Sequence, residues 1–270
     1  KFGAALVYFT GSKNHNIKLR SLAIKKGLKI NEYGVFDKKG KNLASRTEED
    51  IYKKLTLDYI VPEMREDRGE IEAALKGKLP HVIELNDIKG DLHSHTNFSD
   101  GKDTIEAMVE KALSLGYGYL CLTDHSISLK FAGGLDLAAL KKKKRQIDRL
   151  NKSLKGFRIL FGTEAEIDSN GDIDYNNETL AQFDIVIGAI HSGFRQSRKE
   201  LTKRIVKACK NKFVHIIAHP TGKQWPKRDP YELDFNEIFK VARDTNTALE
   251  INAHPYRLDL SDANSRLAKE

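Results

Sequence analysis

The chain has 270 residues, 31% of them charged, with 46 Lys and Arg against 38 Asp and Glu and a formal net charge of +8. No apolar run approaches the roughly 18 residues of a membrane span and no signal peptide is visible, so a soluble, cytoplasmic protein without a membrane partner is expected. The two cysteines, Cys121 and Cys209, lie far apart in apolar segments and read as reduced core residues.

The basic surplus suits an acidic partner, most naturally a phosphate backbone, although the run Lys141 to Lys144 reads equally well as the solvated face of a helix. Residues 4–9, AALVYF, read as a strand that breaks at Thr10-Gly11-Ser12. Ile17, Leu19, Leu22 and Ala23 then give a helix that stops at Gly27. Leu28 to Phe36 alternates loosely and reads as a strand, followed by the turn Asp37 to Gly40. Thr47-Glu48-Glu49-Asp50 is a capping signal for a short helix faced by Ile51, Tyr52 and Leu55. Residues 62–79 are charged and broken by Gly69 and Gly77, a pattern that suits a helix running into a linker. The expected division is therefore 1–62, a linker at 63–88, and 89–270. Both ends look cut, because no methionine opens the chain and the helix beginning at Asp262 stops at Glu270.

The order Tyr8-Phe9-Thr10-Gly11-Ser12, Asn16, Arg20, Gly27 and Asn31-Glu32-Tyr33 resembles the end of the palm and the thumb of family X DNA polymerases. On local physics alone the same residues read as a turn joining strand to helix. The resemblance implies that Tyr8 and Phe9, with Gly11, flank the sugar of an incoming nucleotide. Asn16 and Arg20 would then reach minor-groove edges and the template strand of DNA. Nucleotidyl transfer needs carboxylates that hold two metal ions, magnesium in such a palm. The only aspartates before the linker's end are Asp37, Asp50, Asp58, Asp67 and Asp87, in turn, helix and linker contexts. Asp172 and Asp174 stand far downstream in a polar loop and read as turn chemistry. The catalytic palm is thus absent from this sequence, which should not polymerise.

From Ile88 onward strands and helices alternate. Asp103-Thr104-Ile105-Glu106 reads as a capping box for a helix ending at Gly116, and strand 119–123 follows. A helix over 137–154 and strands over 157–161, 184–190, 213–218 and 248–252 continue the pattern, with helices faced by Leu201 to Cys209 and Phe235 to Ala242 between them. His93 and His95 stand two apart on an extended segment and point to the same side, with Asp100 in the loop beyond. His125, Glu164, His191 and His219 each follow a short apolar strand. In a parallel βα array the strand C-termini share one face, so these side chains converge with His93 and His95. Imidazole and carboxylate together hold a borderline divalent cation and leave positions open for water. His15 and His81 fit no such pattern, His215 reads as core or as a support for the ligands, and His254 is open either way.

The set His93-Ser94-His95, Ser99-Asp100-Gly101, Thr123-Asp124-His125, Gly162-Thr163-Glu164, His191-Ser192 and Ala218-His219-Pro220 resembles the PHP family of metal-dependent phosphoesterases. Thumb followed by PHP domain is the layout of prokaryotic family X DNA polymerases. The resemblance implies a small α+β thumb followed by a distorted (β/α)7 barrel. It also implies a cluster of two or three divalent ions, manganese or zinc, and 3′–5′ exonuclease trimming of DNA in repair. A further Asp-x-His pair and a last strand are expected past Glu270, so the barrel is incomplete here.

The expected roles follow. His93, His95, His125 and Glu164 hold a metal pair that activates water, Asp100, His191 and His219 serve a third or outer site, and Asp124 orients a ligand histidine. Arg195, Lys223 and Arg257 are candidates for neutralising phosphoryl charge, because each lies shortly after a strand-end motif. A monomer is expected. The alternatives are a small-molecule phosphatase of the histidinol-phosphatase type and a DNA-positioning module without catalysis.

Overall fold

The computed structural model describes residues 1–270 and divides into two compact units, 1–83 and 84–270. In the first unit α1 (Phe2–Thr10) occupies the segment expected to be a strand. A run of six apolar residues fits either period, and packing decides between them. Gly3, Ala4 and Val7 fall on one buried helical face, and a Cβ on Gly3 would lie 2.1 Å from the Thr47 carbonyl carbon. No strand of that sequence would present these three together.

Ser12 caps α2 (Lys13–Lys25) by accepting the His15 N–H at 3.3 Å. Gly27, at φ +68°, then lets Leu28 N–H return to the Ala23 carbonyl at 2.9 Å. The single strand expected over 28–36 is a hairpin of β1 (Lys29–Asn31) and β2 (Gly34–Phe36), joined by β3 (Asn42–Ala44) in an antiparallel sheet. Asn31 Oδ1 accepts the Tyr33 N–H at 2.9 Å and so folds the chain back. Thr47 caps α3 (Glu48–Lys54) as the sequence indicates. Residues 63–79, expected to open a linker, belong to this unit, because Ile71 and Ala74 of α4 (Glu70–Leu75) join Leu19, Ile51 and Leu55 in its core.

His15 is fully buried, with Nδ1 2.6 Å from Glu70 Oε1 and Nε2 2.9 Å from the Tyr52 hydroxyl. Burial lowers the His15 pKa in spite of Glu70, so the ring is neutral: Nδ1–H donates to Glu70 and Nε2 accepts from Tyr52. Burial alone would raise Glu70, yet His15 and the Asp67 and Arg68 N–H groups hold its carboxyl below the usual range.

The second unit runs β4 (Gly90–Ser94), α5 (Ile105–Ser114), β5 (Tyr119–Leu122), α6 (Leu137–Asn151), β6 (Arg158–Glu166), α7 (Asn177–Leu180), β7 (Ile185–Ala189), α8 (Arg198–Cys209), β8 (Ile216–Ile217), α9 (Phe235–Thr245), β9 (Ala248–Leu249) and α10 (Asp262–Lys269). The six strands are parallel and lie side by side in sequence order. That order, with helices in the connections, makes a curled (β/α) sheet whose strand C-termini share one face. Thr104 caps α5 by accepting from Ala107 N–H, but Ala107 has no polar side chain to return the bond, so the capping box expected there is half made. Ser197 and Glu200 make the complete box on α8.

The basic run on α6 departs from a solvated face. Lys143 is fully buried, and its Nζ donates to Asp124 Oδ2 at 2.8 Å and to the carbonyls of Leu122 at 2.8 Å and Gly162 at 3.1 Å. It falls in line with Leu140 and Ile147 on the inward face, where a long stem and a paired head replace an apolar side chain. Both cysteines are buried free thiols, and no helix is long and apolar enough to cross a membrane.

Two outcomes test these pairings. Lys143→Met leaves Asp124 charged and unpaired, and denaturant unfolding should show a loss of about 3–5 kcal/mol, against less than about 0.5 kcal/mol for Lys141→Ala. Equal effects would remove the buried pair from consideration. In the first unit His15 and Glu70 both bind protons more tightly when unfolded, so stability is lost as pH falls from about 6.5. Amide protection factors in α2 and α4 should drop over that range, and Glu70→Gln should flatten the dependence. Protection that stays constant down to about pH 4 would contradict the assignment.

Candidate metal centre

At the C-terminal face of the parallel sheet one carboxylate gathers five imidazoles. Glu164, near the end of the long strand β6, is buried to 2% exposure. Its Oε2 lies 3.3 Å from His93 Nε2, 3.2 Å from His95 Nε2 and 3.0 Å from His125 Nδ1. Its Oε1 lies 3.2 Å from His191 Nε2 and 2.9 Å from His219 Nε2. Those nitrogens come from the ends of β4, β5, β7 and β8, the positions at which the sequence puts a histidine after each apolar run. Burial would raise the Glu164 carboxyl, yet the surrounding imidazoles hold it well below the usual range.

The far side of the cluster is held by more carboxylates. His93 Nδ1 is 2.6 Å from Glu250 Oε1, His191 Nδ1 is 2.7 Å from Glu166 Oε2, and His95 Nδ1 is 2.9 Å from Asp100 Oδ1. An ionised carboxylate only accepts, so each of these rings donates outward from Nδ1 and, in its neutral form, turns the lone pair of Nε2 inward. Lone pairs of nitrogen and of Glu164 oxygen then face each other across about 3 Å, an arrangement that calls for a cation between them. His125 Nδ1 completes that picture: it is buried 3.0 Å from Glu164 Oε2 with no hydrogen-bond partner.

The same demand for positive charge shows in the proton affinities, where protons and a cation would compete for the inward nitrogens. Burial opposes charging His93, but Glu164 and Glu250 outweigh it and raise the imidazole to about 10. His191, likewise against burial, is raised to about 9 by Glu164 and Glu166. Burial and the neighbouring His95 and His191 push His125 down to about 4. The His95 hydrogen bond draws Asp100 down to about 2. Three overlapping triads, His93–His95–Glu164, His95–Asp100–His125 and His125–Glu164–His191, each bring their donor atoms within 4.8 Å of one another. The donor set of imidazole and carboxylate fits divalent ions of the borderline class.

The remaining expected residues divide. Asp124 touches no histidine ring; its carboxylate accepts from Thr96 N–H, Thr96 and Ser99 hydroxyls and Lys143, and so braces the loop between His95 and Asp100. Arg257 lines the cleft of about 1050 Å³ above the cluster, whereas Arg195 and Lys223 do not. His254 lines it as well, and His215 is exposed, with Nδ1 accepting the Val186 N–H where β7 begins. In the first unit Asn16 Nδ2 donates to the Tyr8 carbonyl at 2.8 Å, Gly11 sits at φ +76°, and Phe9 and Arg20 are exposed. Asp172 pairs with Lys207, and Asp174 accepts from Ser126 and Ser128, as befits loop residues.

Three side chains escaped the sequence reading. Glu250 follows β9 directly, the same signal that exposes the histidines, but a strand drawn through Asn252 hides it. Glu166 shares a strand face with Glu164, two residues apart, and gives its own signal only by that alternation. Arg228 lies in a loop, where nothing periodic marks it, and lines the cleft.

Residues 91–254 match the PHP domain family. The chain belongs to the PHP family. Ahead of the PHP domain, residues 5–66 match the DNA polymerase beta thumb. Among curated proteins, the DNA polymerase/3′-5′ exonuclease PolX of Bacillus subtilis is 44% identical over 271 residues, covering all of this chain and 47% of the relative. The chain thus spans about half the length of that relative. A probable phosphatase of Acetivibrio thermocellus is 29% identical over 170 residues, 62% of this chain and 66% of that protein. A solved histidinol phosphate phosphatase of Lactococcus lactis, complexed with zinc, L-histidinol and phosphate, aligns over 61% of this chain and 73% of its own at 20% identity and a TM-score of 0.43.

The outward carboxylates of the PHP domain give the test of the site. Glu250→Met removes the acceptor that fixes the His93 tautomer while roughly keeping the side chain's size. Affinity for manganese or zinc, measured by competition with a chelating dye, should fall about 10- to 100-fold. Unchanged affinity would show that His93 does not depend on Glu250.

Proposed function

We propose that the PHP domain is a metal-dependent phosphoesterase that shortens DNA from its 3′ end, and that it works beside a polymerase thumb in a cytoplasmic repair polymerase of family X. The observation that carries this reading is the convergence of five imidazoles on the Glu164 carboxylate in a chain whose other unit matches a polymerase thumb. The match of the whole chain to about half of a polymerase/exonuclease relative and the net charge of +8 support DNA over a small ester.

His93, His95, His125, Glu164 and His191, with Asp100 and His219 at the margins, would hold two or three manganese or zinc ions. Divalent ions held there supply acidity to water and offset charge on phosphoryl oxygens. Glu250 and Glu166 keep His93 and His191 in the tautomer that offers Nε2 to the cluster. His125, with its pKa lowered to about 4, stays neutral at working pH and offers a lone pair rather than a proton. Arg257 and Arg228 line the cleft and present guanidinium donors to the phosphodiester. Asp124 and Lys143 hold the loop that carries Asp100. In the first unit Tyr8, Phe9 and Gly11 would border an incoming nucleotide in the whole protein, and Asn16 and Arg20 would meet DNA. Polymerisation itself would need a palm with magnesium. The chain would act as a monomer.

The test uses 5′-labelled single-stranded DNA with manganese, read on a gel. A ladder shortening from the 3′ end is expected, with loss of at least about 100-fold in His125→Ala and complete loss in chelator. Activity on DNA should fall steeply with salt, while hydrolysis of a small phosphate ester should not. Cleavage of the ester alone would point to a small-molecule phosphatase. Undiminished cleavage by His125→Ala would sink the assignment of the site.

A further inference from the structure

Beside the cleft stands a pair of aromatic rings that packing leaves open. Gln224 and Arg228 exchange backbone hydrogen bonds of 2.9 and 2.8 Å, so the loop between them is a tight hairpin with Trp225 on its tip. Trp225 N–H donates to the Tyr256 carbonyl at 2.7 Å, which pins the hairpin to the segment after β9. The two rings lie 20° from parallel with centroids 6.4 Å apart, yet Trp225 is 63% exposed and Tyr256 52%. Their chain neighbours Gln224, Arg228, His254 and Arg257 all line the cleft, so the pair sits on its rim. Phe131, 84% exposed, lines the same cleft.

Basic side chains outnumber acidic ones around these rings, Asp229 being the exposed acid just past the hairpin. Lys223, Lys227 and Arg228 flank Trp225, and Arg257 follows Tyr256, with its Nη1 donating to the Lys223 carbonyl at 3.3 Å. Asp259, the acid next along that segment, is buried and holds Thr221 instead. A ligand that fits must offer flat π-faces and regularly spaced negative charge together. Nucleobases on a phosphate backbone do so, whereas a sugar chain lacks the charge and an acidic peptide lacks the faces. In a duplex the base faces are already stacked on each other, so an exposed ring pair gains nothing from it.

We infer that Trp225 and Tyr256 form a stacking platform for the unpaired bases of single-stranded DNA, which feeds the strand end into the cleft. This deepens the function proposed above and rests on it for the choice of DNA. The platform makes single-strandedness, rather than sequence, the property that is read.

Trp225 is the only tryptophan in the chain, so its emission reports the platform directly. The full chain would be titrated in chelator with a thymidine oligonucleotide, a condition that separates binding from hydrolysis. Saturable quenching that weakens with salt is expected, with affinity lowered roughly 10-fold or more in Tyr256→Ala, in line with the loss of one stacked base. Tyr256→Phe keeps the ring and should restore the affinity, which separates stacking from a general disturbance of the loop. Absent quenching, equal affinity in Tyr256→Ala and the parent, or equal quenching by a blunt duplex would each overturn the platform. Quenching without cleavage of the oligonucleotide in manganese would leave the platform standing and overturn the exonuclease reading instead. Cleavage without quenching would do the reverse.

Discussion

A negative charge buried away from water is an unstable arrangement, and the second unit is built to hold one. Moving the Glu164 carboxylate out of water costs several kcal/mol unless positive charge or hydrogen bonds compensate. Five imidazoles reach it because parallel strands end at a common level and each ends in the residue that points inward. Three of those rings are anchored from behind by carboxylates, which turn lone pairs rather than protons toward the centre. The geometry therefore concentrates demand for cations at one spot. Polar partners that would otherwise quench it are used up on the outside.

Much of this was legible in the sequence because the ligands coincide with a boundary. An apolar run marks a buried strand, its end marks the catalytic face, and a histidine or glutamate at that end is conspicuous, as at His125, His191 and His219. The signal failed where a boundary was misdrawn. β9 ends at Leu249, so Glu250 stands at a strand end, yet Ile251 prolongs the apolar pattern and conceals it. Lys143 was illegible for another reason: four lysines in a row look solvated, and only the helical phase set by Leu140 and Ile147 singles out the one that is buried. α1 shows the limit of pattern alone, since AALVYF suits either period and Gly3 against Thr47 settles the matter through a contact distant in sequence. The arginines of the cleft divide similarly. Proximity to a motif suggested Arg195 and Arg257 alike, but loops aim side chains by local geometry, and Arg228 took the place that Arg195 did not.

The bracing of the site is layered in a way that separates holding from reacting. Asp124 and Lys143 form an ion pair beneath the loop from Thr96 to Asp100, with every bond directed to backbone, hydroxyl or ammonium and none to an imidazole. Such a strut keeps the exposed Asp100 within reach of His95 and His125 at little risk of competing for the same ion.

The contact between Glu250 and His93 joins residues at the two edges of the sheet, since β4 is its first strand and β9 its last. The same carboxylate also accepts the His219 N–H at 2.6 Å, which ties in the strand between. The two edge strands of the open sheet are therefore bridged by a residue that also orients one of the clustered rings. An ion seated on His93 would stabilise this bridge through the ordinary linkage of binding to folding, and anything that parted the two edges would release the ion. The bridge between the two edges and readiness for the cation are then one equilibrium, with the ion acting as its clasp.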